Sequence, residues 1–115
     1  MKEQISFSYE VFGSIDSLSE ADRQLLKKAR KVTKQAYAPY SRFFVGAAAL
    51  LQNGKTITGT NQENASSPVG LCAERVLLSA TASLYPGMPI LTIAISYLNN
   101  KNGKSEHPAT PCGVC

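Results

Sequence analysis

The 115-residue sequence contains no long hydrophobic run, no internal repeat and no low-complexity stretch. No segment approaches the roughly 18 apolar residues that a membrane-spanning helix requires, so no membrane partner is expected. The opening residues, MKEQISFSYEVF, lack the unbroken apolar core of a secretory signal, and the expected compartment is cytoplasmic. Cysteine is scarce and odd in number, with only Cys72, Cys112 and Cys115. An odd count does not suit the disulfide framework of a small secreted domain, and a reducing compartment keeps thiols reduced. Ordinary buried residues and metal ligands are the two readings left. Histidine is scarcer still: His107 stands alone in a polar loop and reads as exposed rather than as a ligand.

What is present is ordinary for a globular chain, with 43% apolar and 17% charged residues. One domain of this length buries roughly two-thirds of its unfolded surface, enough for a single core. The net charge of +4 comes largely from KKARKVTK at 27–34. No aromatic residues interleave with these cations, so the stretch reads as a solvated helix face, and no nucleic-acid partner is expected.

Residues 1–18 form an N-terminal arm in which Ile5, Phe7, Tyr9 and Val11 alternate with polar residues, as in a short strand or extended segment. Ser19 with Asp22 resembles a capping box and predicts a helix to about Ala36, which Pro39 ends. FFVGAAALL at 43–51 has strand length and suits burial on both faces. Asn53-Gly54 signals a hairpin with KTITGTN as the returning strand. Residues 72–84 read as a helix apolar almost all round, and hence buried. ILTIAISYL, after Pro86-Gly87, reads as a central strand, and the spacing predicts a right-handed β-α-β crossover. An α/β fold with a mixed sheet and helices on its faces follows.

Cys72 opens the second helix, while Cys112 and Cys115 form a Cys-x-x-Cys where another helix is due. Helix N-termini favour the thiolate, and two cysteines at this spacing can meet at one tetrahedral centre. Three protein ligands are the count of a catalytic zinc site, which leaves a position for water. Glu74 is two residues beyond Cys72, placed to move a proton between water and substrate. Three thiolates leave the zinc cluster net negative, and Arg75 can offset this by donating to one of them. Each residue alone is as well read as packing or surface; the joint pattern C-A-E-R … P-C-x-x-C is specific.

That pattern, with A-Y-A-P-Y-S, F-x-V-G-A-A, T-G-T-N-Q-E-N and T-P-C-G-V-C in order, resembles the zinc-dependent cytidine deaminases, most closely the small homotetrameric type. The resemblance implies a three-layer α/β/α fold over 19–115 and a homotetramer. It implies Zn2+ on Cys72, Cys112 and Cys115, with hydrolytic deamination of a free pyrimidine nucleoside, cytidine or 2′-deoxycytidine, in pyrimidine salvage. Glu74 is the implied proton shuttle. The Thr110 carbonyl would accept from the leaving amine, the Ala73 N–H would hold the base, and Phe43 would pack on the pyrimidine. Asn61 and Glu63 would hydrogen-bond the ribose 3′-hydroxyl, which leaves no room for a 3′-phosphate and favours nucleosides over DNA or RNA.

Two departures from the family pattern stand out. Ser66-Ser67 replaces an aromatic residue that follows E-N-A in relatives. Relatives also continue past the second cysteine into a further helix and strands, and here the expectation is that these C-terminal elements are missing. Two other readings remain open: a truncated zinc-binding remnant active only in assembly, and a deaminase of a related aminonucleoside.

Overall fold

The computed structural model describes residues 4, 6, 8–66 and 69–99. Its elements are α1 (Glu20–Val32), β1 (Phe43–Leu51), β2 (Thr56–Thr60), α2 (Ala73–Leu84) and β3 (Ile90–Asn99), with 3-10 turns at Ile15–Ser17 and Thr33–Gln35.

The strands form one three-stranded sheet in the order β2-β1-β3, with β1 antiparallel to both neighbours. β2 and β3 therefore run in the same sense but are separated by β1, and α2 carries the chain across it. α2 thus links two strands of the same sense, but the expected mixed sheet is not seen: every pairing between named strands among the described residues is antiparallel, because β1 lies between β2 and β3. β1 is the central strand. The apolar β3, expected at the centre, lies at the edge of the described sheet.

Alternation along β1 builds three layers. Ala47, Ala49 and Leu51 pack with Ala73 and Leu77 of α2 on one face, whereas Ala48 packs with Leu25 and Ala29 of α1 on the other. This makes FFVGAAALL a strand covered on both sides, as its continuous apolar run predicts. Leu51 and Leu77 are fully buried, each worth roughly 1.5–3 kcal/mol of transfer free energy. Small residues let the layers approach closely. A Cβ at Gly46 would strike the Ala29 carbonyl oxygen, and one at Gly59 would lie 2.6 Å from the Leu77 nitrogen and 2.7 Å from the Ala73 oxygen.

Ser19 caps α1 as expected, its hydroxyl accepting from the Asp22 N–H at 3.3 Å. The helix stops at Val32 rather than Ala36 because the Thr33 hydroxyl donates to the Arg30 carbonyl and the chain tightens into a 3-10 turn. Tyr37 is then drawn into a bridge with Gln62, its N–H donating to the Asn61 carbonyl and its C=O accepting from Glu63 N–H. The 53–54 hairpin forms with a longer connection than the dipeptide signals. Leu51 N–H donates to Lys55 C=O, leaving residues 52–54 as the loop with Gly54 at φ 85°.

One further expectation needs correction, and one is narrowed. α2 is not buried all round: Ala73, Glu74, Leu77 and Thr81 are buried, but Leu78 and Leu84 are exposed because the sheet covers one side only. Before Ile15, no described residue lies in a strand, and Tyr9 and Val11 are exposed, so the described part of the arm follows the extended alternative; Ile5 and Phe7 lie outside the described residues.

The close helix–sheet approaches carry a test. Gly46→Ala and Gly59→Ala are each expected to cost the upper end of, or more than, the about 1–3 kcal/mol typical of overpacking, since backbone atoms must move. Urea unfolding midpoints equal to the wild type for both would contradict this packing.

Candidate active site

Four pieces of chain meet at one end of the sheet. They are the start of β1, the segment after β2, the N-terminus of α2 and the end of β3. Phe43 pairs in register with Asn99, while Gly46 pairs with Thr60. α2 reaches the same region because its first turn lies against Gly59 and because Leu71, just before it, exchanges both backbone hydrogen bonds with Gln62 at 2.8 and 2.9 Å.

Cys72 is the N-cap of α2, half-buried, and its side chain makes no capping hydrogen bond. Ala73 is fully buried at the first helical position, where backbone N–H groups lack intrahelical partners. Glu74 is only 6% exposed, and no described residue forms a hydrogen bond or ion pair with it. No described side-chain oxygen is both fully buried and unpartnered, so the Glu74 carboxylate keeps contact with solvent while its stem is packed. Arg75 is exposed and likewise has no ion pair with a described residue. Among the described residues no cluster of three or more His, Cys, Asp or Glu could hold a metal. Cys112, Cys115, Thr110, His107 and Ser67 lie outside the described residues.

Asn61 and Glu63 come to this end, each engaged with the protein. As the β2 ladder ends, the Asn61 side chain takes over from it: Oδ1 accepts from Val45 N–H at 2.8 Å and Nδ2 donates to Phe43 C=O at 2.9 Å. An amide retains one further proton and lone pair beyond these bonds. Glu63 Oε1 accepts from Tyr40 N–H at 3.0 Å and Ser41 N–H at 3.2 Å. The Ser41 hydroxyl, with these two amides, holds the Glu63 carboxyl below the usual carboxylate range, against a smaller opposing effect of burial. An ionised carboxylate has about four acceptor sites, so capacity for a ligand hydroxyl remains.

Phe43 is half-buried and faces Tyr97, with ring centroids 4.8 Å apart and an interplanar angle of 33°. Tyr97 was not singled out from sequence, although the period-two pattern Ile93, Ile95, Tyr97 would have placed it on the site face. Ser41 was also missed. Its hydroxyl accepts from Phe43 N–H at 3.1 Å, a turn signature open to any Ser-x-Phe. Between them Arg42 adopts a left-handed φ of 59°, which redirects the chain into β1.

Two outcomes test these contacts. Asn61→Ala strands Val45 N–H and Phe43 C=O, so it is expected to lower stability by about 1–3 kcal/mol in chemical denaturation; an unchanged midpoint would remove the clamp. For Glu63 the folded pKa lies below the unfolded one. Its stabilisation is therefore fully present above the unfolded value of about 4.3 and is lost as pH falls through the folded value. Unfolding free energies of wild type and Glu63→Gln should differ at neutral pH and converge in acid. A gap that persists in acid would mean the charge plays no part.

Residues 19–115 match the family described as the cytidine and deoxycytidylate deaminase zinc-binding region. A cytidine deaminase of Halalkalibacterium halodurans is 41% identical over 95 residues, covering 82% of this chain and 67% of the relative. One from Mycoplasma genitalium is 39% identical, covering 79% and 65%. The chain thus spans about two-thirds of the length of these relatives. Among solved structures, the cytidine deaminase of Mycobacterium tuberculosis aligns with a TM-score of 0.68 at 39% identity, covering 80% of this chain and 69% of that one. That of Mycobacterium leprae aligns at 0.69 and 37%, covering 84% and 75%. With the fold, the family match and identities well above chance in agreement, this chain belongs to the zinc-binding cytidine and deoxycytidylate deaminase family.

Proposed function

We propose that this chain carries the active-site machinery for hydrolytic deamination of cytidine and 2′-deoxycytidine to uridine and 2′-deoxyuridine, in nucleoside salvage within the cytoplasm. The observation that carries the reading is Glu74: a glutamate only 6% exposed on the first turn of α2, its carboxylate engaged by no described residue, two positions from a half-buried N-cap cysteine. A structural role would be better served by an apolar residue there.

The donor set fits the family's metal. Cys72, Cys112 and Cys115 would hold zinc as three thiolates, and the helix end at Cys72 presents N–H groups to a negative centre. Zinc, when bound, supplies water acidic enough to act as a nucleophile near neutral pH. Glu74 would take a proton from the attacking water and deliver it to ring N3 as the oxygen adds to C4. A second proton then passes through Glu74 to the exocyclic amine, the C4–N bond breaks, and ammonia leaves as the C4 carbonyl forms. The Ala73 N–H holds the base, the Thr110 carbonyl accepts from the departing amine, and Phe43 lies against the ring. Asn61 and Glu63 use their remaining capacity on the ribose 3′-hydroxyl, which disfavours a 3′-phosphate and therefore a polynucleotide. Arg75 serves the thiolates as a hydrogen-bond donor. The domain comprises 19–115, with 1–18 as an arm. A homotetramer supplies cover for the apolar side chains exposed on α2 and β3, among them Leu84 and Leu91.

The test pairs metal content with turnover. The wild type is expected to hold about one zinc per chain and to release uridine from cytidine. Glu74→Gln should keep the metal and lose at least about 100-fold in kcat. Turnover unaffected by Glu74→Gln, or a chain with no zinc, would sink the reading.

A further inference from the structure

The short stretch between the α1 end and β1 connects two residues that the proposed chemistry uses separately. Ser41 is placed on both. Its backbone N–H donates to Glu63 Oε1 at 3.2 Å, and its hydroxyl oxygen accepts from Phe43 N–H at 3.1 Å. A hydroxyl has one proton to give and two lone pairs; one lone pair accepts from Phe43 N–H, and the proton is given to the Glu63 carboxylate, whose oxygen the Ser41 amide already holds close. Ser41 is exposed, so no packing demand explains the choice of a hydroxyl. The segment is also held at fixed register: Arg42 N–H donates to Ala38 C=O at 3.1 Å, and the left-handed φ of Arg42 makes the next residue enter β1 directly. Tyr40 N–H adds a second donor to the same Glu63 oxygen at 3.0 Å. Glu63 is thereby oriented from the side of Oε1 by residues that lead straight into Phe43.

We propose that Ser41 is a positioning residue for the nucleoside: its amide and hydroxyl lock the Glu63 carboxylate to the Phe43 backbone, so that sugar and base contacts are set as one unit. The inference rests on the assignment of Glu63 to the ribose 3′-hydroxyl and of Phe43 to the base. Ser41 touches neither substrate nor metal. Its effect is transmitted through Glu63, and it follows that Ser41 should matter only when a 3′-hydroxyl is present to be met.

Binding separates this from a merely structural role. In the Glu74→Gln protein, which should bind without turning over, dissociation constants for cytidine and 3′-deoxycytidine would be measured by calorimetry, with thermal unfolding as a control for folding. Adding Ser41→Ala is expected to weaken cytidine about 10-fold and 3′-deoxycytidine less than about 2-fold, the scale of one hydrogen bond to a charged group. Ser41→Thr, which keeps the hydroxyl, should recover most of the loss. On top of Glu63→Ala, which should itself discriminate between the two nucleosides, Ser41→Ala should add nothing. Equal weakening of both ligands, or losses additive with Glu63→Ala, would overturn the role of Ser41 while leaving the ribose assignment standing. Failure of Glu63→Ala to distinguish the ligands would overturn the ribose assignment and this inference with it.

Discussion

The geometry of this protein's working end depends on one side chain bridging two backbone groups. Where β2 would need another pair of ladder hydrogen bonds to remain on β1, Asn61 supplies them from its amide, to Val45 N–H and Phe43 C=O. Its own N–H still donates to Val45 C=O at 3.3 Å, so the strand ends in pairing yet its backbone is free to turn away. That freedom is used at once: the Asn61 carbonyl accepts from Tyr37 N–H, and Gln62 pairs with Leu71. One residue thus converts an ordinary strand end into a junction of three segments. A strand that kept its regular ladder would have carried Glu63 along the sheet instead of across to Tyr40 and Ser41.

Close packing does the rest. The first turn of α2 can lie over the end of β2 only because Gly59 presents no side chain to Ala73 and Leu77 and because Ala47 and Ala49 keep the sheet surface low. Larger residues would lift the helix and carry Cys72 and Glu74 away from Phe43. The position of the proposed site follows from volume at residues outside it. The opposite face obeys the same rule, with Gly46 and Ala48 admitting α1.

How much of this was legible in the sequence follows from how local each cause is. The cap at Ser19, the strand 43–51 and the helix after Cys72 are announced by neighbouring residues, and they are found where expected. The end of α1 was misplaced by a few residues because the Thr33 hydroxyl tightens the chain into a 3-10 turn and Tyr37 then joins Gln62, a partner that lies far along the chain. β3 was expected at the centre because β-branched composition reports that a strand is apolar, not how many neighbours it has. Asn61 and Glu63 were expected as site residues from the family resemblance. Their hydrogen bonds to the backbone of 40–45 were not, since nothing in N-Q-E-N says which strand it will meet. Ser41 and Tyr97 escaped notice for the same reason: each acquires its meaning from a partner brought near by the fold.

The start of α2 departs from good helix design at two nearly adjacent positions, and both departures point the same way. A cysteine N-cap forgoes the side-chain hydrogen bond that Ser, Thr, Asp or Asn would make, a loss of about 1 kcal/mol. Two residues on stands a glutamate only 6% exposed, with its carboxylate engaged by no described residue. Either feature alone could be an accident of packing. Together, on a turn held tightly against Gly59 and joined through Leu71 to the segment that carries Glu63, they are what is expected where stability has been given up to hold reactive groups in place.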